Sequence, residues 1–232
     1  MTLSTSQSTP MGEPDRVSAT APFPLPRSAR LAVFASGRGS NLTSLLDAFP
    51  PHATGQPRDA LAHVALVISN VPNAPALDRA AEAGIARRAI PWTRDEGSRD
   101  AFEGDVQAAL DEHGIDLICL AGFMRILSPD FTQRWQGRIL NIHPSLLPRH
   151  PGLHAQRQAL DAGDVTTGCT VHYVDAGVDT GAIVLRRSVP IHDGDDETGL
   201  AARILVEEHV AYPEAVRRVL HGRTVPLKED TP

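Results

Sequence analysis

Several features are scarce in this chain, and each scarcity narrows what the protein can be. Its 232 residues include only two cysteines, Cys119 and Cys169, which lie far apart and form no C-x-x-C pair. We interpret both as reduced thiols, with Cys119 buried in an apolar run. Basic charge is also scarce, since the net charge is −6 at pH 7 and no lysine- or arginine-rich block is interleaved with aromatics. This composition disfavours a nucleic-acid partner and RNA as a substrate.

Long apolar runs are absent as well, because no stretch approaches the ~20 residues needed to span a bilayer. The N-terminal segment lacks the apolar region of a secretory signal. We therefore expect a cytoplasmic protein without a membrane partner. A hydrophobic content of 41% is enough to form a full core, which excludes disorder throughout and favours one α/β domain with appendages.

Strand-like and helix-like segments alternate along most of the chain, in the β-α-β order of a parallel sheet. The predicted strands lie at 30–35, 63–69, 88–90, 116–121 and 138–140, and the predicted helices at 40–49, 76–83, 98–113, 129–135 and 154–162. Two further strands, 170–174 and 183–190, form a hairpin-like pair before a final helix at 197–220, in which Pro213 predicts a kink or break. The expected fold class is α/β, a Rossmann-like, mostly parallel twisted sheet flanked by helices, with an antiparallel C-terminal strand pair.

Three parts of the chain differ in composition. Residues 1–28 are rich in Ser, Thr and Pro without periodicity, which predicts a disordered leader. Residues 29–222 are expected to form the single domain, and residues 223–232 a C-terminal tail.

The segment from Asn141 to Ser145 carries the most chemical information, together with Asp179 in a later Asp-Thr-Gly. Asn141 and His143 would project from one face at the carboxyl end of a strand, which in open α/β sheets is where ligands bind. An amide N–H can stabilise an oxyanion, an imidazolium can donate to it or shuttle a proton, and a nearby carboxylate keeps that imidazole charged near neutral pH. Acyl chemistry uses these groups without a nucleophilic Ser or Cys. From these residues alone, turn chemistry with His143 as a structural histidine is the alternative.

A glycine-rich loop, Ser36-Gly37-Arg38-Gly39-Ser40-Asn41, follows the first strand and opens the first helix. Backbone N–H groups and the helix N-terminus can hold an anion there. Leu42 stands where a dinucleotide fingerprint has its third glycine, and no Gly-Lys-Ser follows, which disfavours NAD and nucleoside triphosphates and favours a monophosphate. A plain turn with Ser40 as the N-cap is the alternative.

Two further sets of residues each have two interpretations. The run from Met124 to Leu127 follows a buried strand and is either core packing or the apolar wall of a pocket for a flat heteroaromatic ring. His172 on a strand either lines that pocket or is structural. Three histidines and Asp179 suggest a metal site, but their spacing in a Pro-rich loop lacks the compact pattern of zinc ligands, so we expect no metal. These histidines are His143, His150 and His154.

Three motifs occur in one order in this chain: SGRGSN from Ser36, AGFMRILSP from Ala121 and NIHPSLLP from Asn141. On these motifs the chain closely resembles the phosphoribosylglycinamide formyltransferases, folate-dependent enzymes of purine synthesis, from Ala29 to Gly222. The resemblance implies a formyltransferase fold and three sets of site residues. These are catalytic Asn141, His143 and Asp179; Gly39, Ser40, Asn41 and Glu208 for the phosphoribosyl substrate; and Arg99, Met124, Arg125, Ile126, Leu127 and Asn141 for folate.

The implied reaction is direct transfer of the formyl group from 10-formyltetrahydrofolate, the co-substrate, to the amine of glycinamide ribonucleotide. Asn141 and protonated His143 would stabilise the tetrahedral oxyanion, with Asp179 raising the pKa of His143. The enzyme is expected to need no metal and to be a monomer or homodimer.

Three other functions fit the same residues less well. Formyltetrahydrofolate hydrolases and methionyl-tRNA formyltransferases share the Asn/His/Asp set by resemblance. The hydrolases carry an N-terminal regulatory domain, and the leader here is too short to predict one. The tRNA enzymes carry a basic C-terminal domain, which the acidic tail ending at Pro232 does not predict. A folate- or nucleotide-binding module without catalysis is disfavoured by the intact catalytic set.

Overall fold

A computed structural model describes residues 28–51, 61–93 and 97–222. Apart from Ser28, the predicted leader and the predicted tail lie outside these residues. The described strands and helices alternate along the chain, close to the predicted positions. They are β1 (Ala29–Phe34), α1 (Ser40–Ala48), β2 (Ala62–Ser69), α2 (Pro75–Glu82), β3 (Ala86–Ala89), α3 (Ser98–Glu112), β4 (Leu117–Leu120), α4 (Pro129–Arg134), β5 (Ile139–His143), α5 (Ala155–Asp161), β6 (Thr166–Tyr173), β7 (Ile183–Pro190) and α6 (Glu197–Leu220).

The seven strands form one sheet in the order β3-β2-β1-β4-β5-β6-β7. Strands β1 to β5 pair in parallel, whereas β6 runs antiparallel to both β5 and β7. The predicted fold class is therefore confirmed. Strand order reverses between β1 and β4, and in open α/β sheets the loops at such a point form the ligand-binding crevice.

The core lies on both faces of this sheet. In β1, Leu31 and Val33 belong to the cluster that packs against α1, α2 and α6, while Ala32 and Phe34 face α3 and α4. All four side chains are fully buried. Burial on both faces explains why the central strands are continuously apolar rather than alternating.

Two details of the prediction are wrong. β6 begins at Thr166 rather than Thr170, because its first residues pair with β7 as far as Pro190. Pro213 lies inside α6, so the predicted break is wrong, while the predicted kink stays a prediction. A proline removes one helical hydrogen bond, and we attribute the continuity of α6 to the neighbouring Tyr212 and Ala215, which are fully buried against the sheet.

None of the helices that the structure describes has the length and apolar character needed to span a bilayer. Both cysteines are buried free thiols. Burial raises the pKa of each thiol to about 12, so neither Cys119 nor Cys169 is a reactive thiolate at neutral pH.

Tyr212 of α6 joins the carboxyl end of β4 to β5. Its hydroxyl lies 2.9 Å from the Leu120 carbonyl oxygen and 3.0 Å from that of Leu140. Replacing Tyr212 with Phe removes this donor from a buried site, so we expect the free energy of unfolding in urea to fall by about 1–2 kcal/mol. Tyr173→Phe is the matched control, because the Tyr173 hydroxyl is buried without a partner among the described residues. Equal losses in the two variants would contradict the assignment.

Candidate active site

The loops that follow β1, β4 and β5 meet at the carboxyl edge of the sheet, next to the reversal of strand order. A cavity of about 470 Å³ opens there. The loop at 122–127 supplies part of its apolar wall, β5 supplies Asn141 and His143, and β6 supplies His172. The β6–β7 loop closes the other side with residues 174–179. The cavity thus lies where the strand pattern predicted a site.

The three residues predicted to be catalytic form one connected group. His143 Nδ1 lies 3.3 Å from Asp179 Oδ2. His172 Nε2 lies 3.2 Å from Asn141 Nδ2 and 3.5 Å from Asp179 Oδ1. His172 therefore links Asn141 to Asp179, so that four polar side chains form one connected series in a wall that is otherwise largely apolar.

Hydrogen-bond partners fix the tautomer of His143. Its Nε2 lies 2.9 Å from the carbonyl oxygen of His150. A carbonyl only accepts, so Nε2 carries the hydrogen and donates it. The neutral ring then has its lone pair on Nδ1, facing Asp179, and Nδ1 is the nitrogen that can take up a proton.

The same reasoning orients Asn141. His172 Nδ1 lies 2.8 Å from the Tyr173 carbonyl oxygen, so Nδ1 donates. When the His172 ring is neutral, Nε2 is left as the acceptor for one amide hydrogen of Asn141. The second hydrogen on Asn141 Nδ2 remains available to a ligand. The sequence predicts His172 only as a pocket-lining or structural residue, and no sequence pattern predicts its contact with Asn141.

Burial dominates the protonation of His143, whose side chain is only 6% exposed. Burial lowers the pKa of His143, and this outweighs the His150 carbonyl and the Asp179 carboxylate, which act to raise it. Asp179 thus acts in the predicted direction, but the prediction that it keeps the imidazole charged near neutral pH is wrong. The neutral ring, with a free lone pair on Nδ1, is the favoured form.

Asp179 is held as a carboxylate. Burial acts to raise its pKa, but His172, the backbone N–H of Gly152 and His143 together lower it below its ordinary value. The Gly152 nitrogen is 2.8 Å from Asp179 Oδ2. A charged carboxylate facing His143 Nδ1 can stabilise the imidazolium once the ring gains a proton.

The glycine-rich loop begins α1 with a residue that must be glycine. Gly39 has a left-handed φ of 74°, and a Cβ there would lie 3.0 Å from the Cβ of Ala76.

Asn41 Nδ2 donates to Glu208 Oε2 at 2.7 Å, while Asn41 Oδ1 is buried without a partner among the described residues. Burial raises the pKa of Glu208, and the Asn41 hydrogen bond opposes this only in part. These residues and Ser40 form a second cluster, which lies outside the lining of the cavity.

Ser36 connects this loop to the cavity. Its hydroxyl donates to Asn70 Oδ1 at 2.6 Å and accepts from the Met124 backbone N–H at 3.1 Å. The loop that carries the apolar wall is therefore fixed relative to the glycine-rich loop.

The segment from Met124 to Leu127 lies in the cavity wall. The side chains of Met124 and Ile126 are 68% and 62% exposed, whereas Leu127 is buried in the core. Core packing therefore accounts for Leu127 only, and the two exposed side chains offer an apolar surface to a ligand.

Arg99 lies outside the cavity lining. Its guanidinium carbon is 5.8 Å from the ring centroid of Trp92, and that of Arg125 is 5.4 Å from the same centroid. Trp92 was missed from the sequence because a single tryptophan between β3 and α3 belongs to no motif. The ring holds two cations close to one end of the apolar wall.

The histidines considered as metal ligands contact separate partners. His150 Nε2 lies 2.7 Å from Asp164 Oδ2, and His154 Nδ1 lies 3.9 Å from Glu197 Oε1. Across residues 28–51, 61–93 and 97–222, no group of three His, Cys, Asp or Glu side chains could hold a metal ion.

Comparison with known proteins gives one consistent result. The profile of the formyl transferase family matches residues 29–216. The phosphoribosylglycinamide formyltransferase of Mycobacterium tuberculosis is 46% identical over 93% of this chain and 94% of its own length. The trifunctional purine biosynthetic protein adenosine-3 of Drosophila melanogaster is 50% identical over 84% of this chain, which spans only 14% of that longer protein. The crystal structure of glycinamide ribonucleotide transformylase 1 from Symbiobacterium toebii superposes with a TM-score of 0.77 at 43% identity, covering 85% of this chain and 90% of that one.

Proposed function

Because the chain belongs to the formyl transferase family, we propose that it transfers the formyl group of 10-formyltetrahydrofolate to the primary amine of glycinamide ribonucleotide, a step of purine synthesis. The observation that best supports this reaction is the juxtaposition of Asn141, His143 and Asp179 at an apolar cavity. Such a site offers an oxyanion donor, a base and a carboxylate without a covalent nucleophile.

The two substrates would occupy adjacent parts of the site. The flat folate ring fits the cavity, against the exposed side chains of Met124 and Ile126, and the guanidinium groups of Arg99 and Arg125 offer charge to its carboxylates. The phosphate of the ribonucleotide would accept from the backbone of the Gly39–Asn41 loop at the N-terminus of α1. A buried Glu208 supplies an acceptor for the ribose hydroxyls.

The reaction then proceeds in two balanced steps. The amine attacks the formyl carbon, and Asn141 donates an amide hydrogen to the oxygen that becomes negative. His143 Nδ1 takes the proton that the amine loses, directly or through water, and Asp179 stabilises the resulting imidazolium, whose positive charge also favours the oxyanion. The proton passes to the folate nitrogen as its bond to the formyl carbon breaks. The products are the formylated amine and tetrahydrofolate, and bringing the two substrates together supplies much of the remaining acceleration.

Following the folate absorbance on mixing the protein with 10-formyltetrahydrofolate tests this proposal directly. Turnover that requires glycinamide ribonucleotide supports the transferase. Folate release of equal rate without the ribonucleotide would identify a hydrolase. Saturable folate binding with no turnover under either condition would leave a binding module.

Glu208→Ala is expected to raise the KM for glycinamide ribonucleotide about tenfold or more, with a smaller effect on the KM for folate. The substitution removes the carboxylate that accepts from Asn41 at 2.7 Å. Losing a hydrogen bond to a charged acceptor costs about 1.5–3 kcal/mol. Steady-state kinetics with each substrate varied in turn measures the effect. Glu207→Ala is the control, because Glu207 pairs instead with Arg187. Equal changes in both KM values would contradict the assignment of Glu208 to the ribonucleotide.

A further inference from the structure

We propose that Asp164, acting through His150, is a positioning residue for the catalytic pair His143 and Asp179. Asp164 lies in the turn between α5 and β6, outside the cavity lining. The inference rests on the proposed reaction, since it assigns a further residue to it.

A short segment, 149–152, contacts both members of the catalytic pair through its backbone. The His150 carbonyl accepts from His143 Nε2 at 2.9 Å, and the Gly152 N–H donates to Asp179 Oδ2 at 2.8 Å. The position of this segment therefore decides which nitrogen of His143 is left for proton transfer and how Asp179 faces it.

Asp164 fixes that segment from outside the site. His150 Nε2 lies 2.7 Å from Asp164 Oδ2, and the Arg149 guanidinium pairs with Asp164 Oδ1. The side chains of Asp164 and His150 are 7% and 14% exposed. Solvent therefore screens this contact little, unlike an ordinary surface ion pair.

The segment needs such an anchor because of its backbone. His150 has a left-handed φ of 53°, a conformation disfavoured for residues with a Cβ. Without Asp164, His150 can return to an ordinary conformation, which turns its carbonyl away from His143. Misplacing catalytic groups by about 1 Å can cost about a hundredfold in rate.

Four variants separate positioning from simple loss of structure. Asp164→Ala and His150→Leu remove the contact, and we expect kcat to fall about tenfold to a hundredfold, with both KM values within about twofold. His150→Gln keeps a side-chain N–H for Asp164 and should retain kcat within about threefold. Asp161→Ala is the control, since Asp161 is an exposed acid on α5 that pairs only with Arg157 in the described chain. Equal losses in His150→Gln and His150→Leu would overturn the proposal.

The titration of the His143 ring, followed by NMR with His143→Ala for assignment, provides a readout that needs no turnover. Apart from the His150 carbonyl, His143 faces the titratable groups of Asp179 and His172. Loss of the carbonyl contact in Asp164→Ala should move the His143 titration to lower pH, whereas Asp161→Ala should leave it in place. An unchanged titration in Asp164→Ala would overturn the role of Asp164. Failure of the wild-type protein to transfer formyl groups would instead overturn the proposed function, so the two failures are distinguishable.

Discussion

Replacing His143 with alanine is expected to lower kcat for formyl transfer about a thousandfold, because positioned acid–base groups contribute about 10²–10⁴. The variant loses both the base at Nδ1 and the imidazolium that faces the oxyanion. Neither substrate is assigned a ground-state contact with this ring, so both KM values should change little. Steady-state kinetics checks the split between kcat and KM. His221→Ala, at the exposed end of α6, is the control and should match the wild type.

The alternative interpretation of His143 as a structural histidine makes the opposite prediction. The ring is buried and donates to the His150 carbonyl, so a structural role would lower the free energy of unfolding while leaving kcat per folded molecule close to the wild type. The thermal stability of the same variant should therefore be measured together with its kcat. A loss in kcat below about tenfold would contradict the assignment of His143 as the catalytic base.

Asp179→Asn is expected to lower kcat about a hundredfold and to move the acid limb of the pH profile to lower pH. Burial already lowers the pKa of His143, and the charge of Asp179 acts to raise it. Removing that charge lowers the pKa further. Because the neutral ring is the base, the rate falls as the pH drops through this pKa, so a lower pKa places the fall at lower pH. In the wild type this limb should already lie below the ordinary histidine value of about 6.5.

The asparagine substitution is chosen because an amide oxygen can still accept from the Gly152 N–H, which holds the β6–β7 loop in place. Asp193→Asn, an exposed acid in the turn before α6, is the control. The measurement is kcat/KM from pH 5 to 8 in all three proteins. An acid limb that stays in place or moves to higher pH in Asp179→Asn would contradict the neutral-base mechanism.

The sequence predicted the sheet well because each element carries a local signal. Apolar runs such as 117–120 identify strands buried on both faces, and Pro75 and Gly84 bracket α2. The predicted break at Pro213 was wrong because the local cost of a proline in a helix does not include the burial of the neighbouring residues. The start of β6 was missed for a similar reason, since pairing with β7 extends a strand whose first residues carry no strand pattern.

The candidate site could be predicted only in part. The side chains of Asn141, His143 and Asp179 are of types that acyl transfer uses, so they could be selected as candidates from the sequence, with a structural histidine as the alternative. The pKa of His143 could not be predicted, because it depends on how deeply the ring is buried. The contacts from His150 and Gly152 were missed because they involve backbone atoms, which any residue possesses, and their direction is set by tertiary structure.

Transfer of a labelled formyl group tests the central claim most directly. The protein would be mixed with glycinamide ribonucleotide and 10-formyltetrahydrofolate carrying ¹³C in the formyl group, and the products followed by ¹³C NMR and mass spectrometry. We expect the label in a formyl amide on the ribonucleotide, in one-to-one ratio with tetrahydrofolate and with no free formate. Labelled formate beside unmodified ribonucleotide would contradict direct transfer.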